Sequence, residues 1–333
     1  MKRIICLIMC ALAAMLTCAC SQDKTESAPT QAQTEAVKET ASQTEPSPTE
    51  NPDALGLKAF INSFDKTAVA EEKEIYHDND LTVKALGIDY TAISGPGLQL
   101  SFESRYKKDI IIQAPCAAVN GYMISPELST EVAAGKTAEG TLTLPYFNLA
   151  ISNITTLKKI EFSLKVVEAN TYNPIVKTEL ITVSTSSDDG KDTPCNENGQ
   201  IAYDKNDVKI VLQGVNVDRA FSDGAELMVY MCNNTENSIA VQTDEVIVNG
   251  YDMTSAMNLT ILPGKRAVDV VVFYKLDMEE YNIDVIDSVD VSFTLKDADK
   301  WDTIDSTDLI SVELKPAETV AAATQASETA AKK

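Results

Sequence analysis

The sequence predicts an all-β protein built as two tandem antiparallel β-sandwiches. Residues 74–183 and 201–312 repeat one another, apolar side chains within each copy alternate with period two, and Asn-Gly and glycine-containing turns recur at matching places. A repeat of this length sets architecture ahead of any local element, and period-two patterning marks half-buried strands.

The repeat is read from four matches. Val119-Asn120-Gly121-Tyr122 returns as Val248-Asn249-Gly250-Tyr251, and Ala134-Gly135-Lys136 returns as Pro263-Gly264-Lys265, both at an offset of 129. Phe162-Ser163-Leu164-Lys165 matches Phe293-Thr294-Leu295-Lys296 at 131, and Leu180-Ile181-Thr182-Val183 matches Leu309-Ile310-Ser311-Val312 at 129.

Each copy opens with a short strand, Glu74–His77 or Gln200–Tyr203, and then a longer one whose phase changes. Leu81, Val83 and Ala85 give way to Ile88 and Tyr90, and Val208, Ile210 and Leu212 give way to Val215 and Val217. Both changes occur at a glycine, Gly87 or Gly214, which predicts a β-bulge, because one extra residue restores the inward face. Leu98, Leu100 and Phe102 form the next strand, matched by Ala225, Leu227 and Val229. Ile110 and Ile112 (Ile239 and Val241), then Leu142 and Leu144 (Val271 and Phe273), mark two more. Ile160, Phe162 and Leu164 (Val291, Phe293 and Leu295) and finally Ile181 and Val183 (Ile310 and Val312) complete about seven strands per copy. Asn-Gly supplies the positive-φ residues of a hairpin turn, and Pro263-Gly264 fits a type II turn. Leu57, Phe60, Ile61 and Phe64 lie at helical spacing ahead of the first copy, and Tyr146–Thr155 and Tyr274–Asp284 read as crossovers with a helical turn.

Residues 1–19 read as a signal peptide: Lys2 and Arg3 precede an apolar run from Ile4 to Leu16 that is too short to span a bilayer. Leu16-Thr17-Cys18-Ala19-Cys20 resembles the lipobox of bacterial lipoproteins, with Thr17 where an aliphatic residue is usual. This implies diacylglycerol on Cys20, with Cys18 as a second candidate, and residence at the outer face of the cytoplasmic membrane. Residues 20–56 form a tether poor in large apolar side chains, with a coil-like reach of roughly 30 Å. The first module then spans 57–185, a linker 186–200, the second module 201–315, and a disordered tail 316–333.

Composition works mainly by exclusion. With 50 acidic and 28 basic residues the net charge is −22, so the chain offers no basic patch to nucleic acid or bare anionic lipid. The single histidine, His77, excludes His-based triads and multi-histidine metal sites within one chain. No phosphate-binding glycine loop, nucleophile elbow or cofactor motif is present, and the chain is read as a non-enzyme without cofactor. Cys116, Cys195 and Cys232 are odd in number and unmatched between the copies, which argues against a module-defining disulfide and predicts buried or idle free thiols, with a Cys195–Cys232 bridge as the alternative.

Two sets of residues carry the remaining ligand chemistry. Asp297, Asp299 and Asp302, with Asp305, supply enough carboxylate oxygens in one segment for a cation such as calcium, against the plainer reading of a solvated acidic loop. Tyr172 aligns with Trp301, and Tyr122 with Tyr251. As a binding set these aromatics would stack on sugar rings; as a packing set, Trp301 and Tyr172 would plug the sandwich ends while the two tyrosines flank a hairpin turn.

Taken together, the strand order over residues 74–315, the paired Asn-Gly-Tyr motifs, Trp301-Asp302-Thr303-Ile304 and Cys20 resemble the tandem immunoglobulin-like β-sandwich modules of Gram-positive bacterial surface lipoproteins. The resemblance implies surface exposure and a role in binding or scaffolding an extracellular protein partner. The alternative is a receptor that captures glycans or divalent cations.

Overall fold

The computed structural model describes residues 52–216, 224–255 and 257–314. Cys20, Cys18, most of the tether and the C-terminal tail therefore lie outside the described residues. In chain order the first repeat comprises α1 (Pro52–Ser63), β1 (Lys73–His77), β2 (Leu81–Asp89), β3 (Gly97–Ser104), β4 (Ile110–Val119), β5 (Tyr122–Ile124), β6 (Ser129–Val132), β7 (Thr137–Thr143), α2 (Tyr146–Ile151), β8 (Lys159–Glu168), β9 (Pro174–Lys177) and β10 (Ile181–Ser184). The second comprises β11 (Gln200–Lys205), β12 (Val208–Asn216), β13 (Gly224–Asn233), β14 (Ile239–Val248), β15 (Tyr251–Asp252), β16 (Asn258–Ile261), β17 (Lys265–Tyr274), α3 (Lys275–Glu280), β18 (Val289–Asp297), β19 (Thr303–Ser306) and β20 (Ile310–Ser311).

The fold is all-β, two immunoglobulin-like sandwiches whose pairings are duplicated strand for strand. One sheet of the first repeat has the order β1-β2-β3-β7, and the second repeat has β11-β12-β13-β17. The facing sheet is built on β4 and β8, with β5 and β6 on β4 and β9 and β10 on β8; β14 and β18 hold β15, β16, β19 and β20 in the same way. The chain leaves β3 for β4 in the opposite sheet, returns at β7 beside β3, and crosses again so that β8 lies antiparallel to β4. That interlock is the immunoglobulin arrangement. Each copy has more strands than the seven read from the alternation, because β5, β6 and β9, like β15, β16 and β19, are too short to display a period.

Alternation puts the cores between the sheets. Leu81, Val83, Leu98, Leu100 and Phe102 from one sheet meet Ile110, Ile112, Ile160, Phe162 and Leu164 from the other, all fully buried. Each such side chain contributes about 1.5–3 kcal/mol of burial. In front of this core, Phe64 packs edge-on against Tyr146 with ring centroids 5.4 Å apart, so α1 is seated on the first sandwich beside α2.

The two predicted bulges are present. Pairing of β2 with β3 slips between Ala85 and Gly87, where φ of Gly87 is 144°, and pairing of β12 with β13 slips between Leu212 and Gly214, where φ is 124°. Both short helices end on an asparagine in the left-handed region, Asn153 at φ 53° and Asn282 at φ 54°. Ile154 N–H then reaches Leu149 O and Ile283 N–H reaches Met278 O, each at 2.8 Å. These are Schellman closures, with asparagine in the position glycine usually takes.

Two alignments made from the sequence are corrected by register. Ile112 faces Val166 and Val119 faces Ile160, whereas Val241 faces Leu295 and Val248 faces Val289, so Phe162 corresponds to Val291 and Leu164 to Phe293. Leu98 pairs with Leu142 and Leu227 with Val271, so Leu98 corresponds to Leu227, not Ala225. Both errors are shifts of two residues. A shift of two keeps every side chain on its own face, so periodicity alone does not detect it.

The sandwiches are joined through a sheet. β5 pairs in parallel with β17 through Tyr122 and Arg266, which makes β10-β8-β4-β5-β17-β13-β12-β11 one run within a ten-stranded sheet. Val211, Tyr230, Cys232 and Val268, on the outer face of β12, β13 and β17, are buried in the core cluster of the first repeat. The second repeat's four-stranded sheet is thus apolar on both faces at the joint.

Candidate functional site

The Asn-Gly-Tyr motif is a hairpin turn with a second task. Asn120 and Asn249 both have φ 51°, followed by Gly121 at 89° and Gly250 at 82°, as a type I′ turn requires. Asn120 Nδ2 donates to Thr156 O at 2.8 Å, and its Oδ1 accepts Lys158 N–H at 2.9 Å and Lys159 N–H at 3.1 Å. Asn249 repeats this with Val285 O at 2.7 Å, Asp287 N–H at 2.8 Å and Ser288 N–H at 3.0 Å. Each asparagine pins the segment that enters the following long strand. The motif recurs because the fold needs it twice.

The tyrosine that follows diverges. Tyr122 is 2 % exposed, its hydroxyl donates to Pro194 O at 3.1 Å, and the Arg266 guanidinium lies over its ring at 5.9 Å. Burial pushes its hydroxyl pKa up, partly offset by the Arg266 charge. Around it Arg266 N–H donates to Gly121 O at 3.1 Å, Arg266 Nη1 to Thr193 O at 3.3 Å, and Lys265 Nζ pairs with Glu161 at 2.6 Å. A Cβ on Gly121 would meet the Asp192 carboxylate at 2.6 Å. The segment between the repeats and the start of β17 together cover this end of the first sandwich.

Tyr251 is 46 % exposed and stacks on Tyr281, with ring centroids 4.7 Å apart and planes 14° from parallel. A Cβ on Gly250 would meet nothing. Tyr274, Leu276 and Val285, in the elements beside this turn, are exposed as well. The same elements carry Asp252, Glu279, Glu280, Asp284 and Asp287, all exposed. The end is therefore an aromatic platform inside an acidic rim. Tyr281 had no signal in the repeat, since its counterpart is Ser152.

Trp301 and Tyr172 do not plug the sandwich ends. Each sits in the left-handed region, at φ 65° and 57°, in the hairpin between β18 and β19 or between β8 and β9. Trp301 N–H donates to Asp297 O and Tyr172 N–H to Glu168 O, both at 2.8 Å. Closing the hairpin turns the side chain outward, leaving Trp301 48 % and Tyr172 66 % exposed; Lys296 Nζ lies 5.2 Å from the Trp301 ring centroid. The packing expectation for this pair is thus overturned by backbone geometry. The pair belongs to different repeats, and neither lines the cleft of about 290 Å³ bounded by Tyr203, Val208, Ile239, Leu295, Asp297 and Ile304.

The acidic segment is occupied with its own turn. Asp297 Oδ1 accepts the N–H groups of Asp299 at 3.0 Å and Lys300 at 2.9 Å, and the Lys300 bond foremost holds its pKa below the usual carboxylate range. Asp305 accepts the Tyr203 hydroxyl at 2.9 Å, which likewise lowers its pKa. Asp297, Asp299 and Asp302 are not brought together: among the described residues no group of three or more His, Cys, Asp or Glu converges as a metal site requires. Cys116, Cys195 and Cys232 are free thiols, and burial raises the Cys232 pKa. His77 Nδ1 lies 3.0 Å from Thr82 Oγ1, within its own hairpin.

No family model matches the chain, and no curated protein does. Among solved structures, the YadV chaperone is similar at 12 % identity and TM-score 0.22, covering 65 % of this chain and 92 % of its own. A protein of unknown function from Porphyromonas gingivalis W83 follows at 11 % identity and TM-score 0.19, covering 73 % and 94 %, and red sea bream transglutaminase at 11 % and 0.18, covering 74 % and 31 %. At these scores they carry no argument about this chain.

Proposed function

We propose that this is a non-enzymatic surface lipoprotein, held at the outer face of the cytoplasmic membrane by diacylglycerol on Cys20, whose duplicated sandwich binds or scaffolds an extracellular protein partner. One observation supports the reading above others. Among the described residues two equivalent turn ends exist, one covered by protein and the other open, aromatic and rimmed with acid. Exposed aromatic platforms are common anchors of protein interfaces. Intact mass measurement of the mature N-terminus would find a diacylglycerol-modified Cys20, and an unmodified terminus at any other residue would remove the anchor. Full-length protein on the surface of its own cells would be chemically cross-linked to a second envelope protein; recovery of uncross-linked chain alone would count against a binding role.

A second reading, glycan capture, draws on the exposure of Trp301 and Tyr172. Trp301 is the single tryptophan. Its fluorescence would change on addition of soluble cell-wall oligosaccharides if that reading held, and would stay constant if the protein-partner reading alone is right.

A further inference from the structure

The covered end of the first repeat is a template for what the open end of the second receives. At the joint, Lys265 and Arg266 begin β17, a strand that meets β5 in parallel. Arg266 lies over the Tyr122 ring and donates its N–H to Gly121 O, while Lys265 pairs with Glu161. At the offset of 129, Gly250 stands for Gly121, Tyr251 for Tyr122 and Asp290 for Glu161. Tyr251 is open, and the Asp290 carboxylate, half-buried like the Glu161 position it repeats, accepts the Ser311 hydroxyl. The three acceptor features that hold a Lys-Arg strand in the first repeat are thus set out again in the second.

Resting on the protein-partner reading above, the geometry points to a specific occupant: the edge strand of a β-sandwich domain in a different polypeptide, carrying adjacent lysine and arginine. The arginine covers Tyr251, the lysine pairs with Asp290, and the strand lies parallel to β15 as β17 lies parallel to β5. The acidic rim of Asp252, Asp284 and Asp287 favours such a cationic edge and quickens its approach. A second copy of this chain is the wrong occupant. Its free counterpart of Lys265-Arg266 is Lys136-Thr137, which has no cation to place over a ring. Its outer sheet face carries Lys84, Ser101, Glu103 and Glu139 where the docked face has Val211, Tyr230, Cys232 and Val268, so head-to-tail growth would set carboxylates against carboxylates.

The test replaces Tyr251 with the photoreactive p-benzoylphenylalanine in the full-length chain on its native cells, with the same residue at 172 and at 301 as separate controls. The expected result is a 251 adduct with a different polypeptide, its cross-linked peptide coming from a β-sandwich edge strand that bears Lys-Arg. Adduct yield should fall at least about tenfold when Asp290→Lys is added. It should also fall between about 0.1 M and about 1 M salt without any added substitution, a readout independent of how the variant folds. An adduct of twice the chain's own mass, a cross-linked peptide without basic residues, or a yield insensitive to salt would overturn the inference. Adducts at 172 or 301 with none at 251 would remove this site while keeping a protein partner, and no adduct at any of the three would remove both.

Discussion

Tyr122 and Tyr251 follow the same Asn-Gly turn at the same strand position, with φ of 51° at both asparagines and of 89° and 82° at the two glycines. One is buried under the second repeat and the other faces solvent on Tyr281. Local sequence therefore sets the turn, while the surroundings decide what becomes of the side chain: the second repeat covers the end of the first, and among the described residues nothing covers the corresponding end of the second. The difference separates two properties usually mixed in a repeated motif. Asn120 and Asn249 serve the fold alike, whereas the tyrosines have divided between holding the protein together and facing outward.

The largest test of that division is truncation of the two rings. Tyr122→Ala should cost about 3–5 kcal/mol, as for other fully buried large side chains. Tyr251→Ala should cost under about 1 kcal/mol. Denaturant unfolding of the two variants under one buffer checks it, and equal losses would break the comparison. Because the repeats share a sheet, both should melt in one transition in the parent chain, and Tyr122→Ala is the variant expected to split it.

Next in size are the asparagines. Asn120 is fully buried and also donates to Thr193 Oγ1 at 3.3 Å, so Asn120→Ala strands several backbone groups away from water. A loss of about 2–3 kcal/mol is expected there. Asn249→Ala leaves groups that water reaches and should cost about 1 kcal/mol, most of it for the left-handed backbone. Hydrogen exchange at Lys158 and Lys159, against Asp287 and Ser288, would show which segment loosens.

A pH dependence should also distinguish the repeats. Asp269 in β17 takes the position that Gly140 holds in β7, and burial raises its pKa above the ordinary 3.8, with the Val270 N–H bond opposing. In the window between 3.8 and the raised value the folded chain holds a proton the unfolded chain has released, so stability falls as pH rises through it. Asp269→Asn should therefore stabilise the protein at neutral pH, with the gain closing as pH drops to the bottom of that window. Asp297 works in the opposite sense: its lowered pKa contributes stability above 3.8 that is lost as pH falls through the folded value. A gain from Asp269→Asn that is the same at pH 3 and pH 7 would place its effect in packing instead of charge.

Much of the fold could be read from the residues because its devices are local. Gly87 and Gly214 mark bulges by a change of phase, and Asn-Gly marks both hairpins by the φ those residues tolerate. The joint could not be read that way. Lys265 and Arg266 look like the start of any strand after a Pro-Gly turn, and only tertiary proximity gives them Glu161 and Tyr122 as partners. Trp301 and Tyr172 misled for a related reason: a repeated aromatic suggests repeated packing, yet what repeats is a left-handed hairpin position that points it outward. The aspartates left two readings open because a run of acids reads alike whether its oxygens converge or, as at Asp297, accept N–H groups of their own turn. Tyr281 lay beyond reach altogether, since nothing in Ser152 foretells it.

The smallest effect concerns that last residue and is the sharpest probe of the open end. If Tyr281 was acquired to stiffen Tyr251 as a platform, the two rings should couple in the free protein, where no partner is present. A double-mutant cycle of Tyr251→Ala and Tyr281→Ala should give about 0.5–1 kcal/mol, within the range of aromatic pairs beyond their area. The matching cycle of Tyr122→Ala with Ser152→Ala should give no coupling, because those positions in the first repeat have no ring pair to lose. Near-zero coupling in the first cycle would mean the stack adds no rigidity, leaving Tyr251 held by the Asn249 turn alone.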